Sequence, residues 1–183
     1  MTPPRAPRRR PAEAEIVAIA AAHLNALGYR TWRDLDGGDY FDLVARRGDE
    51  VGLVEAKVGD ARTVLAQALR RRAWGDWTAV VLAGRRSAER LEGRTRATRA
   101  APVGVWCVAD GRVVELRPAR PWVADGADDP FAPFRSRFRA ILTALERGEI
   151  PASVAWDGVP RTVRRVSGGR AFAEWRLDEI EPR

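Results

Sequence analysis

Lysine is all but missing from this 183-residue chain: of its 32 Lys and Arg residues a single one, Lys57, is lysine. Cysteine and histidine are as scarce, with one of each, Cys107 and His23. One Cys excludes an internal disulfide, and one Cys with one His cannot build the common zinc sites. Any catalytic metal must then take oxygen ligands, which points to Mg²⁺ or Mn²⁺. No apolar run approaches the ~20 residues that span a bilayer, so no membrane partner is expected. No leader with an apolar stretch and cleavage site is visible, and a cytoplasmic location is the expectation.

What is present is a hydrophobic content of 45% with seven Trp, enough for a real core, and a net charge of +7. A sequence pI near 10.9 favours an anionic partner, nucleic acid first. Cys107, Trp77 and Trp106 lie in apolar strand patterns and read as core. His23, on a helix otherwise lined with Ile, Ala and Leu, reads as structural or surface.

Residues 1–11 are rich in Pro and Arg, lack an apolar pattern and read as a disordered basic arm. From Ala12 to Leu27, Ile16, Ile19, Ala20, Leu24 and Leu27 recur at helical spacing, and Gly28 supplies the stop. Tyr29–Arg33 reads as a short strand and Asp36-Gly37-Gly38 as a turn. Tyr40–Arg47 and Glu50–Lys57 are strand-like runs joined by Gly48-Asp49, a hairpin pair. Asp60 is placed to cap a helix running to about Ala73. Trp77–Ala83 is a continuous apolar run typical of a buried strand. Ser87–Ala100 reads as an Arg-studded helix capped by Ser87, and Val103–Val108 with Arg112–Arg117 as a second hairpin around Asp110-Gly111. The predicted order is α-β-β-β-α-β-α-β-β, an α/β fold over residues 12–117.

Residues 118–133 read as a Pro-rich linker, and 134–183 as a small helix-plus-strands module. In it Phe134, Phe138, Ile141, Leu142 and Leu145 share a helical face, followed by strands at Ser153–Trp156, Arg161–Val166 and Arg170–Leu177. The helix, with Arg135, Arg137 and Arg139, is open to three roles: a DNA-reading helix, a dimer element or a cap over the core.

The first hairpin carries the chemistry. With Gly48 and Asp49 as the turn, Arg47 faces Glu50, and counting outward puts Asp42 opposite Glu55. Opposed residues share a face with Cβ atoms about 4.5–5.5 Å apart, and two like charges there destabilise the sheet unless something compensates. A divalent cation between them would do so. Lys57, two residues beyond Glu55, points to the same face because strand side chains alternate. Lysine is a compact point charge, unlike the planar guanidinium fork used elsewhere in the chain, and suits a site that holds one small cation beside a carboxylate and a water.

Asp42, a twelve-residue gap and then Glu55-Ala56-Lys57 resembles the signature of the PD-(D/E)xK, or restriction-endonuclease-like, nuclease superfamily. The predicted αβββαβ order from Ala12 to Ala83 is similar to that superfamily's core with its mixed central sheet. Archaeal Holliday-junction resolvases, the most similar members, carry a glutamate on the first helix that approaches the metal. Glu13 and Glu15 both stand there, and Glu13, leading the Ile16, Ile19, Ala20 stripe, is preferred. Gln67 fits the polar residue that related nucleases carry on the helix after the motif. Two departures stand out. Residue 41 is Phe rather than Pro, and Arg71 stands where exonuclease-type members have a tyrosine one turn after the glutamine.

The resemblance implies an Mg²⁺- or Mn²⁺-dependent nuclease acting on DNA. Asp42, Glu55 and the backbone carbonyl of Ala56 would hold the metal, and Lys57 would orient the attacking water or stabilise charge on the phosphate. Arg70, Arg71 and Arg72, and the helix bearing Arg90, Arg94, Arg96 and Arg99, are candidates to track the phosphate backbone. A narrower form of this expectation is a structure-selective junction endonuclease acting as a homodimer. A different one is a catalytically silent nuclease fold that binds nucleic acid or a protein.

Overall fold

The computed structural model describes residues 11–33, 41–98, 100–122 and 129–149. The basic arm up to residue 10, the Asp36-Gly37-Gly38 turn, Tyr40, Arg99, part of the expected linker and the three C-terminal strands lie outside them. The described elements follow the expected order. They are α1 (Glu13–Ala26), β1 (Arg30–Arg33), β2 (Leu43–Arg47), β3 (Glu50–Lys57), α2 (Ala61–Arg71), β4 (Trp77–Leu82), α3 (Arg85–Thr95), β5 (Gly104–Ala109), β6 (Arg112–Arg117) and α4 (Ala132–Glu146).

The six strands form one sheet whose spatial order is their chain order. β1, β2 and β3 meander antiparallel, β3, β4 and β5 run parallel, and β6 turns back antiparallel. The sheet is therefore mixed. Each connection type follows from the local chain. Gly48 takes φ +60° between β2 and β3, the positive value that a two-residue hairpin turn needs at its first position. Asp110 and Gly111 both have positive φ between β5 and β6, the pattern of a type I′ turn. The parallel strands are instead bridged by α2 and α3, as parallel pairs require.

The two faces of the sheet are covered differently. Leu43, Ala45, Val54, Ala56, Ala79 and Val81 face α1, whose Ile16, Val17, Ala20, Ala21 and Leu24 are buried against them. Their alternate neighbours face the other helices: Val80, Leu82, Val105 and Cys107 lie with Val64 and Ala68 of α2 and Ala88 and Leu91 of α3. Val44, Val51 and Leu53 lie with Trp74 and with Phe138 and Leu142 of α4. Trp77 and Trp106 are core, as expected, and so is Cys107. Gly52 is required where it stands: a Cβ there would lie 2.0 Å from the Trp77 ring, its partner across the β3–β4 ladder.

Two boundaries differ from expectation. α3 begins at Arg85 behind an extended Gly84, so Ser87 falls inside its first turn and caps nothing. It stops at Thr95, whose hydroxyl accepts from the buried Arg117 guanidinium at 2.8 Å. α4, in turn, packs on the sheet. Pro133 is tolerated in its first turn, and Phe138 and Leu142 are fully buried in the core. Of its three expected roles it takes that of a cap over the sheet. Its arginines make the seam: Arg135 donates to the carbonyls of Gly75 and Arg72, and Arg139 to the Asp49 carbonyl and Asp76. Asp76 also accepts from the Val51 amide at 2.7 Å, so it joins α4 to β3.

Candidate functional site at the end of strand β3

The β2–β3 register runs Arg47↔Glu50 to Leu43↔Val54; one residue beyond it, the Asp42 side chain lies beside Glu55, the neighbourhood the hairpin count expects. Asp42 lies in a bend just before β2, partly exposed. One of its carboxylate oxygens accepts the Ala56 amide at 2.7 Å, which ties the side chain to β3. Ala56 itself is buried among the residues that face α1. Glu55 points the other way, toward α2, and is 0% exposed.

A carboxylate so enclosed needs a counter-charge, and the chain supplies one: Arg71, the last residue of α2, makes an ion pair with Glu55. The Arg71 guanidinium also lies 5.6 Å from the centroid of the Phe41 ring, and Phe41 packs on Phe138 of α4. Phe41 and Arg71, where the sequence departs from the signature it resembles, thus meet around Glu55. Burial pushes the Glu55 carboxyl up to about 8, Arg71 pulls it back, and Asp42 beside it adds to the rise. Loss of hydration around the enclosed Glu55 carboxyl is the main physical content of the shift.

Lys57 ends β3. Its register partner Leu82 belongs to the α2–α3 face, yet its ammonium makes a 2.5 Å ion pair with Glu13 of α1, on the far side of the sheet. The side chain passes over the strand end to do so. Glu13 rather than Glu15 is thus the glutamate that α1 brings to the motif, and it meets the lysine. Among the described residues no group of three or more His, Cys, Asp or Glu could hold a metal ion; Asp42 and Glu55 come together, while Glu13 is engaged by Lys57. In ligand type the pair suits a hard dication, since two adjacent carboxylates supply oxygen donors, with Arg71 already holding the charge of Glu55. Gln67 stands one turn before Arg71 on α2, and its Oε1 is buried with no hydrogen-bond partner among the described residues.

The expected phosphate-tracking arginines need correction. Arg71 is buried on Glu55 and has no phosphate-facing surface. Arg72 is half-buried with its guanidinium near the Trp122 and Phe131 rings. Arg70 is exposed. On α3, Arg96 is held by Glu92 and Arg85 by Glu89. Arg86, Arg90 and Arg94, one turn apart, are exposed and pair with no described carboxylate.

No protein-family model matches this sequence, and no curated protein does. Among solved structures, a protein of unknown function from Silicibacter pomeroyi is similar with a TM-score of 0.46 and 16% identity, covering 77% of this chain and 96% of that one.

The sequence reading missed the Arg71–Glu55 pair, although a signal existed. Val64, Ala68 and Arg71 fall on the buried stripe of α2, so helical periodicity turns Arg71 inward rather than outward. Chemically, the end of β3 collects a buried acid with its own cation, a second acid fixed to the backbone, and a partly exposed ammonium held by a third.

Proposed function

We propose that the chain is an Mg²⁺- or Mn²⁺-dependent DNA nuclease with a restriction-endonuclease-like core. The observation that carries this reading is the Asp42 carboxyl lying beside that of Glu55 at the end of β3, with Lys57 two residues on. Structural sheets seldom oppose two carboxylates, and a hydrolytic site needs them. The α1-β1-β2-β3-α2-β4 order on a mixed sheet supports it.

In this reading Asp42, Glu55 and the Ala56 carbonyl would hold the cation, which would supply polarisation of the phosphate and a lowered pKa for water. Asp42, anchored on the Ala56 amide, fixes the geometry of the donor pair. Lys57 donates to the attacking water or to a phosphate oxygen, and Glu13 positions its ammonium. Arg86, Arg90 and Arg94 neutralise backbone phosphates without reading sequence.

The test is cleavage of circular, single-stranded, flapped and four-way-junction DNA with Mg²⁺ or Mn²⁺. Asp42→Ala and Lys57→Ala should each lower the rate by roughly 10²–10³-fold, the cost of removing one stabilising group from a hydrolytic site. Lys57→Arg should not restore it, because the fork displaces the water the ammonium positions. Preference for the junction, together with dimerisation, would select the homodimeric junction endonuclease.

One observation favours a second reading. The Glu55–Arg71 and Lys57–Glu13 pairs neutralise part of the site without any metal, as a silent nucleic-acid-binding fold would require. Salt-sensitive DNA binding with no cleavage of any substrate would decide for it.

A further inference from the structure

We propose that Arg71 is a built-in competitor for the divalent cation: its guanidinium and the cation contend for the Glu55 carboxylate, so Arg71 sets how tightly the site binds metal. The proposal deepens the nuclease reading and rests on it. Two contacts and a helix end hold Arg71 in place. It makes the ion pair with Glu55, it lies beside the Phe41 ring, and it ends α2, where the helix dipole favours a cation. None of the three involves solvent, and both partners of the pair are buried. The guanidinium is therefore not a surface side chain visiting the site but part of its wall.

Charge decides why the two cations exclude each other. The Asp42 and Glu55 carboxylates together can balance one dication, whereas Glu55 alone is held by the Arg71 guanidinium. Arg71 left in contact adds an uncompensated positive charge in a dry place, where like charges repel strongly. Lys57 does not alter this balance because Glu13 already neutralises it. Binding of a dication must therefore break the Glu55–Arg71 contact, and the free energy of that contact is subtracted from the metal's affinity.

The test is calorimetric titration of the full chain with MnCl₂, comparing wild type, Arg71→Gln, Arg71→Lys and Asp42→Ala, with thermal unfolding of each with and without Mn²⁺. Arg71→Gln should bind Mn²⁺ at least about tenfold tighter than wild type, the gain expected when a competing contact is removed. Its melting temperature should be lower than wild type without Mn²⁺ and rise more when Mn²⁺ is added. Arg71→Lys keeps the charge on a different head group and should fall between the two; it reports the competition if the glutamine variant does not fold. Asp42→Ala should bind none. Equal Mn²⁺ affinity in wild type and both Arg71 variants would overturn the competition while leaving the cation site standing. No Mn²⁺ binding by wild type or by either Arg71 variant would overturn the site itself, and the proposal with it.

Discussion

Two acid–base pairs sit at the end of β3, two residues apart, and burial makes them different objects. Glu55 and Arg71 are enclosed, their side chains 1% and 9% exposed; Lys57 and Glu13 keep 25% and 40%. The chemistry of the pairs is alike, a carboxylate beside a nitrogen cation. In the first, neither partner can be hydrated, so each is held in place by the cost of losing the other. In the second, water screens the attraction, and either group is free to exchange its partner for a ligand. The proposed hydrolytic site would use both kinds: an enclosed acid that stays where it is, and an exposed ammonium that can turn to a substrate.

The largest effect that tests this comparison comes from Arg71→Ala. Above about pH 8, where Glu55 is ionised, the variant should lose about 3–5 kcal/mol in urea unfolding, the cost of a buried charge without its partner. At pH 6 Glu55 keeps its proton, and the loss should shrink to roughly 1–3 kcal/mol. A loss independent of pH would mean that Arg71 matters for packing on Phe41 rather than for charge.

Next comes the pH dependence of Glu55 itself. Its pKa is raised by burial from 4.5 to about 8 in the folded chain, so the fold prefers the neutral acid. Its contribution is full below about pH 4.5 and is lost as pH rises through about 8. Relative to Glu55→Gln, wild type should therefore lose stability across that window with a slope of at most ~1.4 kcal/mol per pH unit, and level off above it. A flat difference between the two would show that Arg71 keeps Glu55 ionised throughout.

The smallest stability effect belongs to the exposed pair. Lys57→Ala and Glu13→Ala should each change unfolding free energy by no more than ~1 kcal/mol, while under the proposed nuclease reading Lys57→Ala should lower cleavage by roughly 10²–10³-fold. A Lys57 variant as unstable as Arg71→Ala would erase the distinction between the two pairs.

Much of this arrangement was legible in local residues. Two hairpin pairs, Gly48-Asp49 and Asp110-Gly111, set strand register, because a two-residue turn leaves no freedom in what faces what. The Asp42–Glu55 opposition follows from that count alone, and the Asp60 cap is read from one residue and confirmed by its bonds to the amides of Arg62 and Thr63. What lies far apart in sequence is harder to read. Arg71 stands beside Arg70 and Arg72 in a basic run, yet it lies on the inward stripe of its helix. A Pro-rich stretch separates α4 from the rest in sequence, yet Phe138 and Leu142 fill the core and Arg46 reaches its Thr143 at 2.7 Å.

The sequence by itself determined the element order, the hairpin registers and which side chains share a strand face, since turns and alternation are local properties of the backbone. Tertiary structure alone decided that Arg71 meets Glu55, that Lys57 crosses the strand end to Glu13, and that α4 closes the sheet. Those contacts depend on how helices rotate and dock against strands, which many side chains settle together and no short segment encodes.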